Sequence, residues 1–268
     1  MDKHFRVEVI SKTPNPQQTI YAALHQDYAE GFVFDEREEW PSEENCGRII
    51  INQLLKGGRG HYGPLEHPQI VLNCGWFPHS AMQQVRTHRV GVSFDVQSFR
   101  YTGKVIADIG RMFDLQIQTW ASSVEDCLWG DDDDWSYDLA SHIEEKFYLR
   151  PVGDYSDRQG KRYTYTDHDR KEDIIQCAEA CLRYYHKMQR GFSEEHARGL
   201  VPFDVRQHWA MSANVRSLMH LLDLRWKANA QLEAQQLCDL IWPHFEAWVP
   251  AIAEWYKANR AKKAKLSP

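Results

Sequence analysis

Hydrophobic and polar positions alternate over Phe5-Arg6-Val7-Glu8-Val9-Ile10, a period of two rich in β-branched residues that predicts a strand. The period then lengthens. Apolar spacing over Thr19–Glu30 and Asn45–Lys56 predicts helices, the second ending at Gly57-Gly58, where left-handed backbone costs little. Gly60-His61-Tyr62-Gly63-Pro64 reads as a loop and Pro68–Cys74 as a second strand, and Pro78 suits the first turn of a short helix running through Gln84 toward His88. From Gly103 to about Glu144 the pattern weakens. The run Asp131-Asp132-Asp133-Asp134 predicts a solvated acidic loop rather than a metal site, because four consecutive carboxylates cannot all face one ion, and residues 103–144 read as an insertion. Gly153 to Asp169 is polar, a loop or hairpin, and helical spacing returns over Arg170–Arg190, Asp204–Leu224 and Ala228–Ala261. Few strands, long helices and no βαβ alternation give an α+β class, helices packed on a small sheet, in a single domain over 1–268.

Composition narrows the function. At 268 residues, 43% hydrophobic and 26% charged, the chain can bury a sizeable core and is neither disordered, collagen-like nor a coiled coil. A net charge of −6 argues against coating long nucleic acid, which needs many clustered lysines and arginines. A small anionic ligand held by a few arginines stays open. No apolar run reaches the length of a membrane span and the opening residues lack a signal-peptide core, so a cytosolic protein is expected. Cys46, Cys74, Cys127, Cys177, Cys181 and Cys238 are scattered without a CxxC, which points to free thiols and away from a zinc ribbon.

Chemistry concentrates in three segments. Gln83–Tyr101 holds Arg86, Arg89 and Arg100, His88, three glutamines and two serines at the end of a short helix and in the turn after it. Arginine's fork of donors matches phosphate oxygens, so this cluster either faces an anion or lies solvated on the surface. The second segment is Arg198-Gly199-Leu200-Val201-Pro202, leading into Asp204–Arg225. On an uninterrupted helix Asn214, Leu221 and Arg225 share one stripe, with Leu218, Met219 and Leu222 close enough to be core, and an arginine there is either a salt-bridge partner or a functional group. In the third, His61-Tyr62-Gly63-Pro64-Leu65-Glu66-His67, the two histidines straddle a Gly-Pro turn with no thiolate nearby, so no metal is expected. His67, just before a strand, is read as a core or supporting hydrogen-bonding residue.

Together these segments resemble the flavin-dependent thymidylate synthases. That family carries an Arg-His-Arg triplet, seven residues, a serine and then Xaa-Arg-Tyr. The counterpart here is Arg86-Thr87-His88-Arg89, eight residues, and Ser98-Phe99-Arg100-Tyr101, so that Thr87 interrupts the triplet or, read without a gap, replaces its first arginine. Upstream, His61, Gly63-Pro64, Glu66 and His67 are similar to the family's His-x-(Thr/Ser)-Pro-x-Glu-His turn, with Gly63 in place of the hydroxyl residue. Downstream, Arg198 with Pro202, Asn214-Val215-Arg216-Ser217-Leu218 and Leu224-Arg225 resemble Arg-x-x-x-Pro, Asn-x-Arg-Ser-Leu and Leu-Arg in order, and His220 stands where asparagine is frequent. The likeness covers roughly residues 45–101 and 145–250.

The resemblance implies an enzyme with a small, mainly antiparallel sheet packed with long helices. It would convert dUMP to dTMP with methylenetetrahydrofolate as carbon donor and NADPH as reductant, through bound FAD. It implies FAD contacts from His61, Gly63, Glu66, Arg86, His88, Arg89, Asn214, Arg216 and His220. The implied dUMP contacts come from Gln83, Gln84, Gln97, Ser98, Phe99, Arg100, Arg198 and Arg225. Arg225 would be catalytic, stabilising negative charge that develops on the uracil, with no covalent nucleophile on the enzyme. A homotetramer, no nucleic acid and no membrane are further implications. Two other readings compete: a non-catalytic nucleotide- or RNA-binding protein, and an FAD-dependent NADPH oxidase or reductase without methyl transfer. No GxGxxG follows a predicted strand, which disfavours a Rossmann dehydrogenase.

Overall fold

The computed structural model describes residues 1–58, 60–129, 133–157 and 159–263. Its elements run β1 (Arg6–Lys12), α1 (Pro16–His25), α2 (Glu43–Ile50), β2 (Gln69–Pro78), α3 (His79–Arg86), β3 (Val92–Val96), α4 (Phe99–Thr102), α5 (Lys104–Thr119), α6 (Val124–Trp129) and α7 (Asp133–Lys146). They continue with β4 (Gly153–Ser156), β5 (Arg162–Tyr165), α8 (Asp167–Gln189), α9 (Glu194–Ala197), β6 (Arg206–Asn214), α10 (Val215–Arg225), α11 (Leu232–Trp248) and α12 (Pro250–Asn259). One small antiparallel sheet has the order β1-β2-β6-β3, and β4 and β5 form a separate hairpin. The class is α+β, as the pattern predicts.

The chain divides into two compact units, of which one comprises Met1–Gly75, Gln83–Asp95 and Trp209–Pro268. In it β1 pairs antiparallel with β2, Val7 opposite Cys74, with an irregularity between Val9 and Ser11. Helix α11 docks on β1 through its polar edge: His244 lies 3.0 Å from the Val7 carbonyl, and the Trp248 indole donates to the Thr13 carbonyl at 3.0 Å. The first turn of α1 lacks a side-chain cap of its own. The Glu43 carboxylate supplies one, accepting from the backbone N–H groups of Gln17 and Gln18 at 2.8 Å each, where the helix dipole favours a negative charge. At Gly47 a Cβ would come within 2.5 Å of the Ala251 Cβ, so only glycine lets α2 and α12 approach this closely. The Asp223 carboxylate of α10 is buried and satisfied by the Tyr256 hydroxyl at 3.0 Å and by the Arg260 guanidinium.

The other unit comprises Trp76–Met82 and Val96–His208. Its core gathers Phe99, Ile106, Ile109, Phe113, Leu128, Leu139, Ile143, Cys181 and Tyr184 among others. Helices α5 and α8 meet at Gly110, where a Cβ would lie 2.2 Å from the Cys181 carbonyl oxygen. Thr166 and Asp169 form a reciprocal capping box at the start of α8. Arg206 is buried, donating to the carbonyls of Glu144 at 3.0 Å and Trp76 at 2.9 Å.

Several expectations change. The stretch Asp204–Leu224 is not one helix: Arg206–Asn214 is strand β6, and the helix begins only at Val215. Alanine, methionine and glutamine favour helices in isolation, but Trp209, Met211 and Ala213 bury alternate positions of a sheet strand, and tertiary packing overrides propensity. Asn214 therefore caps α10 and does not share a helical stripe with Arg225. The stretch Ala228–Ala261 breaks at Val249, where Pro250 opens α12. The weakly patterned 103–144 is largely helical, with Ile106, Ile109 and Phe113 of α5 at core spacing. Residues 131–132 of the acidic run lie outside the described residues, and α7 starts at Asp133. Pro78 closes β2, and α3 starts at His79. All six cysteines are free, as expected, and all are buried. Among the described residues no helix is long and apolar enough to cross a membrane, and no group of three or more His, Cys, Asp or Glu side chains is placed to hold a metal.

Candidate functional site

In the first unit the site is built around helix α10. Its first turn is capped by Asn214, whose side-chain oxygen accepts from the Ser217 N–H at 2.8 Å. The loop after α3 is tied to the same turn. Ser217 Oγ donates to the Val90 carbonyl at 2.8 Å, and Gly91 sits against it with φ +66°, where an added Cβ would fall 2.2 Å from Ser217 Oγ and 2.4 Å from Asn214 Nδ2. Glycine is required there both for the left-handed backbone and for the space.

The last turn of α10 carries Arg225. Its Nε donates to His88 Nε2 at 3.0 Å, and its Nη2 donates to the Gln84 carbonyl at 3.1 Å and to Thr87 Oγ1 at 3.0 Å. A longer contact of 3.4 Å runs from Nη1 to Gln84 Oε1. No carboxylate pairs with Arg225 among the described residues. His88 is buried, and its pKa is pushed down to about 4 by desolvation first, then by the Arg225 and His220 charges, so it is neutral near pH 7 and free to accept. Burial also lowers the Arg225 pKa, from a value high enough that the group stays a cation. The His220 ring meets His88 edge-on at 5.3 Å, and its buried Nδ1 has no hydrogen-bond partner among the described residues.

Arg216, in the first turn of α10, pairs with Glu66 at 2.5 Å. His61 is exposed and pairs with Asp27 at 2.8 Å. Gly63 has open space around it, with nothing within 4 Å of an added Cβ. Arg86 and Arg89 are exposed and have no ion-pair partner among the described residues, and Gln83 is exposed beside them. His67 is exposed too, which removes it from the core role expected of it: it follows the short 3₁₀ turn Gly63–Glu66, whose buried residues are Pro64 and Leu65.

The second unit holds the remaining predicted residues. Ser98 caps α4, accepting from the Arg100 N–H at 3.4 Å, and Phe99 is buried beneath the Lys146 ammonium, 5.1 Å from the ring centre. Arg100 and Arg198 converge on one carboxylate: Glu195 lies 3.9 Å from Arg100 and 3.7 Å from Arg198, with Arg100 and Glu195 exposed and Arg198 half-buried. The Gln97 backbone N–H donates to the His208 carbonyl at 2.9 Å, while its side-chain Oε1 is buried without a partner among the described residues. Sequence reasoning missed Glu195, Arg206 and the part played by Thr87. For Glu195 a signal was available, since it stands three residues before Arg198 on a capped turn. The roles of Arg206 and Thr87 come from residues distant in sequence.

Two arginine sets, one held by uncharged acceptors and one sharing a carboxylate, therefore lie on an α+β scaffold without a GxGxxG motif. The fold is shared with solved proteins. A flavin-dependent thymidylate synthase from Helicobacter pylori, crystallised with FAD and dUMP, superposes with a TM-score of 0.60 at 16% identity, covering 89% of this chain and 92% of that one. A UMP/dUMP methylase from Streptomyces cacaoi bound with 5-Br UMP gives 0.61 at 18% identity, covering 98% and 96%. The flavin-dependent thymidylate synthase of Halobacterium salinarum is 27% identical over 98% of this chain and 100% of its own length. The model of the thymidylate synthase complementing protein family matches residues 8–251, and the chain belongs to that family.

Proposed function

We propose that the protein methylates dUMP reductively to dTMP, taking the carbon from methylenetetrahydrofolate and the reducing equivalents from NADPH, with FAD as the bound cofactor. The observation that carries this reading is Arg225, a partly buried guanidinium held entirely by uncharged acceptors, in a chain whose family model spans residues 8–251. A cation left uncompensated in a partly desolvated setting is suited to charge that develops on another molecule.

The residues present fit a flavin dinucleotide. Arg86 and Arg89 offer unpaired cations for a pyrophosphate, the buried His220 Nδ1 is a polar atom in want of a partner, and the open space at Gly63 leaves the backbone approachable. His61, Glu66, His88, Asn214 and Arg216 complete the proposed FAD set. The flavin supplies the two-electron chemistry that no amino-acid side chain provides.

For dUMP, the proposed phosphate ligands are Arg100, Arg198 and the Ser98 hydroxyl, and the proposed nucleoside ligands are Gln83, Gln84, Gln97 and Phe99. Exposed ion pairs such as those of Glu195 are worth under about 1 kcal/mol, so a phosphate dianion can take the carboxylate's place. Arg225 donates to the uracil and stabilises negative charge on its ring as C5 becomes nucleophilic. The protein needs no covalent nucleophile, and the buried Cys74 and Cys238 thiols, raised far above their ordinary pKa by desolvation, are unsuited to that role. We assign a homotetramer as the working assembly, which light scattering of the native protein tests.

The direct test is the visible absorbance of the purified protein, with dUMP then added. An oxidised-flavin spectrum perturbed by dUMP, together with dTMP formation when both co-substrates are supplied, is the expected result. A colourless protein that does not take up added FAD would overturn the reading.

A further inference from the structure

We propose that Thr87 and His88 are positioning residues for Arg225, forming with the Gln84 carbonyl a charge-neutral cradle that fixes the guanidinium and leaves its Nη1 arm for an incoming ligand. The proposal rests on the reading of Arg225 as the group that meets the uracil.

A guanidinium has five N–H donors in a rigid fork. His88 takes the one on Nε, and the Gln84 carbonyl and Thr87 Oγ1 take both on Nη2. What remains is Nη1, whose only hydrogen bond among the described residues is the 3.4 Å approach to Gln84 Oε1. The cradle thus engages one side of the fork and leaves the other nearly free.

The chemistry of the three acceptors is as informative as their number. Each is neutral, whereas arginines within a protein are commonly held by carboxylates, as Arg216 is by Glu66 and Arg260 by Asp223. A carboxylate would fix Arg225 equally well and cancel its field. Thr87 is fitted to the task in a second way: its hydroxyl donates its single proton to the Gln84 carbonyl at 2.7 Å, so its lone pairs are turned to receive Nη2. An arginine at this position would set a second cation against the first. Threonine in the middle of Arg86-Thr87-His88-Arg89 is therefore an acceptor installed for Arg225.

His88 can accept at Nε2 only in the neutral form protonated on Nδ1. The groups facing it are Arg225 and His220 of α10, with Cys238 of α11 beyond Arg225, and none is anionic near pH 7. The surroundings consistently oppose its protonation.

The test has two readouts on the flavin-loaded protein. Histidine-selective nitrogen NMR reports the cradle without reference to turnover. His88 is expected as the Nδ1–H form, resisting protonation until the pH falls to about 4, and in Arg225→Ala its titration is expected to move up toward the ordinary histidine range. Titration of wild-type His88 near 6.5 would overturn the cradle whatever the activity. The second readout is kinetic: Thr87→Val is expected to lower kcat about tenfold at unchanged flavin content and melting temperature, and Thr87→Ser to restore it. Equal kcat in wild type and Thr87→Val overturns the positioning role. A wild-type protein that forms no dTMP, and whose flavin ignores dUMP, overturns the functional reading instead, and the NMR titration still decides whether the cradle exists.

Discussion

The two arginine sets are built on opposite principles. Arg225 is fixed by three neutral acceptors and left with its charge intact, whereas Arg100 and Arg198 share the Glu195 carboxylate at 3.9 and 3.7 Å. The first arrangement is preorganised: little needs to move or be displaced when charge appears in front of it. The second is exchangeable, its internal anion a stand-in that a better one can replace. On the proposed reading, the cation that acts on the reaction and the cations that capture the ligand place different demands on their surroundings.

Changes on either side can break or sharpen this contrast. The largest effect is expected where α10 also carries a fully compensated pair. Arg260→Met strands the buried Asp223 carboxylate, and equilibrium denaturation should show a loss of about 3–5 kcal/mol. Next comes Arg225→Ala, which should lower dTMP formation by about 10²–10³-fold in steady-state assays while the flavin spectrum is retained. Undiminished turnover would remove Arg225 from the mechanism. Arg198→Ala should raise the KM for dUMP about tenfold with kcat nearly unchanged, the signature of lost ground-state binding. The smallest effect belongs to Glu195→Gln, which frees both arginines and should lower that KM about two- to threefold at low salt, converging on wild type as screening grows. A rise in KM would show that the carboxylate orients the arginines rather than competing with the phosphate.

Much of this was legible along the chain. The period-two run at Phe5–Ile10 became β1, the stop at Gly57-Gly58 falls where both glycines adopt positive φ, and the long helix expected at Arg170–Arg190 is α8. Strand β6 was not, because residues of high helix propensity run directly into the apolar face of α10, and two elements joined at a cap read as one. Strand β3 is only Val92–Val96 and lies inside a segment whose arginines drew the chemical reading instead. The site residues were legible by type and order. What could not be read was which partner each had, since the contacts of Arg225 with His88, Thr87 and Gln84 span 137 to 141 positions of sequence.

The segment from Gln84 to Gly91 touches α10 at both ends: Val90 and Gly91 at its first turn, Gln84, Thr87 and His88 at its last. An eleven-residue helix rises about 16 Å, so this stretch acts as a gauge laid alongside it. One residue added between Thr87 and Gly91 has to be taken up around the exposed Arg89, because Thr87 and His88 are tied to the last turn of the helix and Val90 and Gly91 to its first. The tolerance of the stretch to insertion is thereby set by the length of a helix more than a hundred positions away.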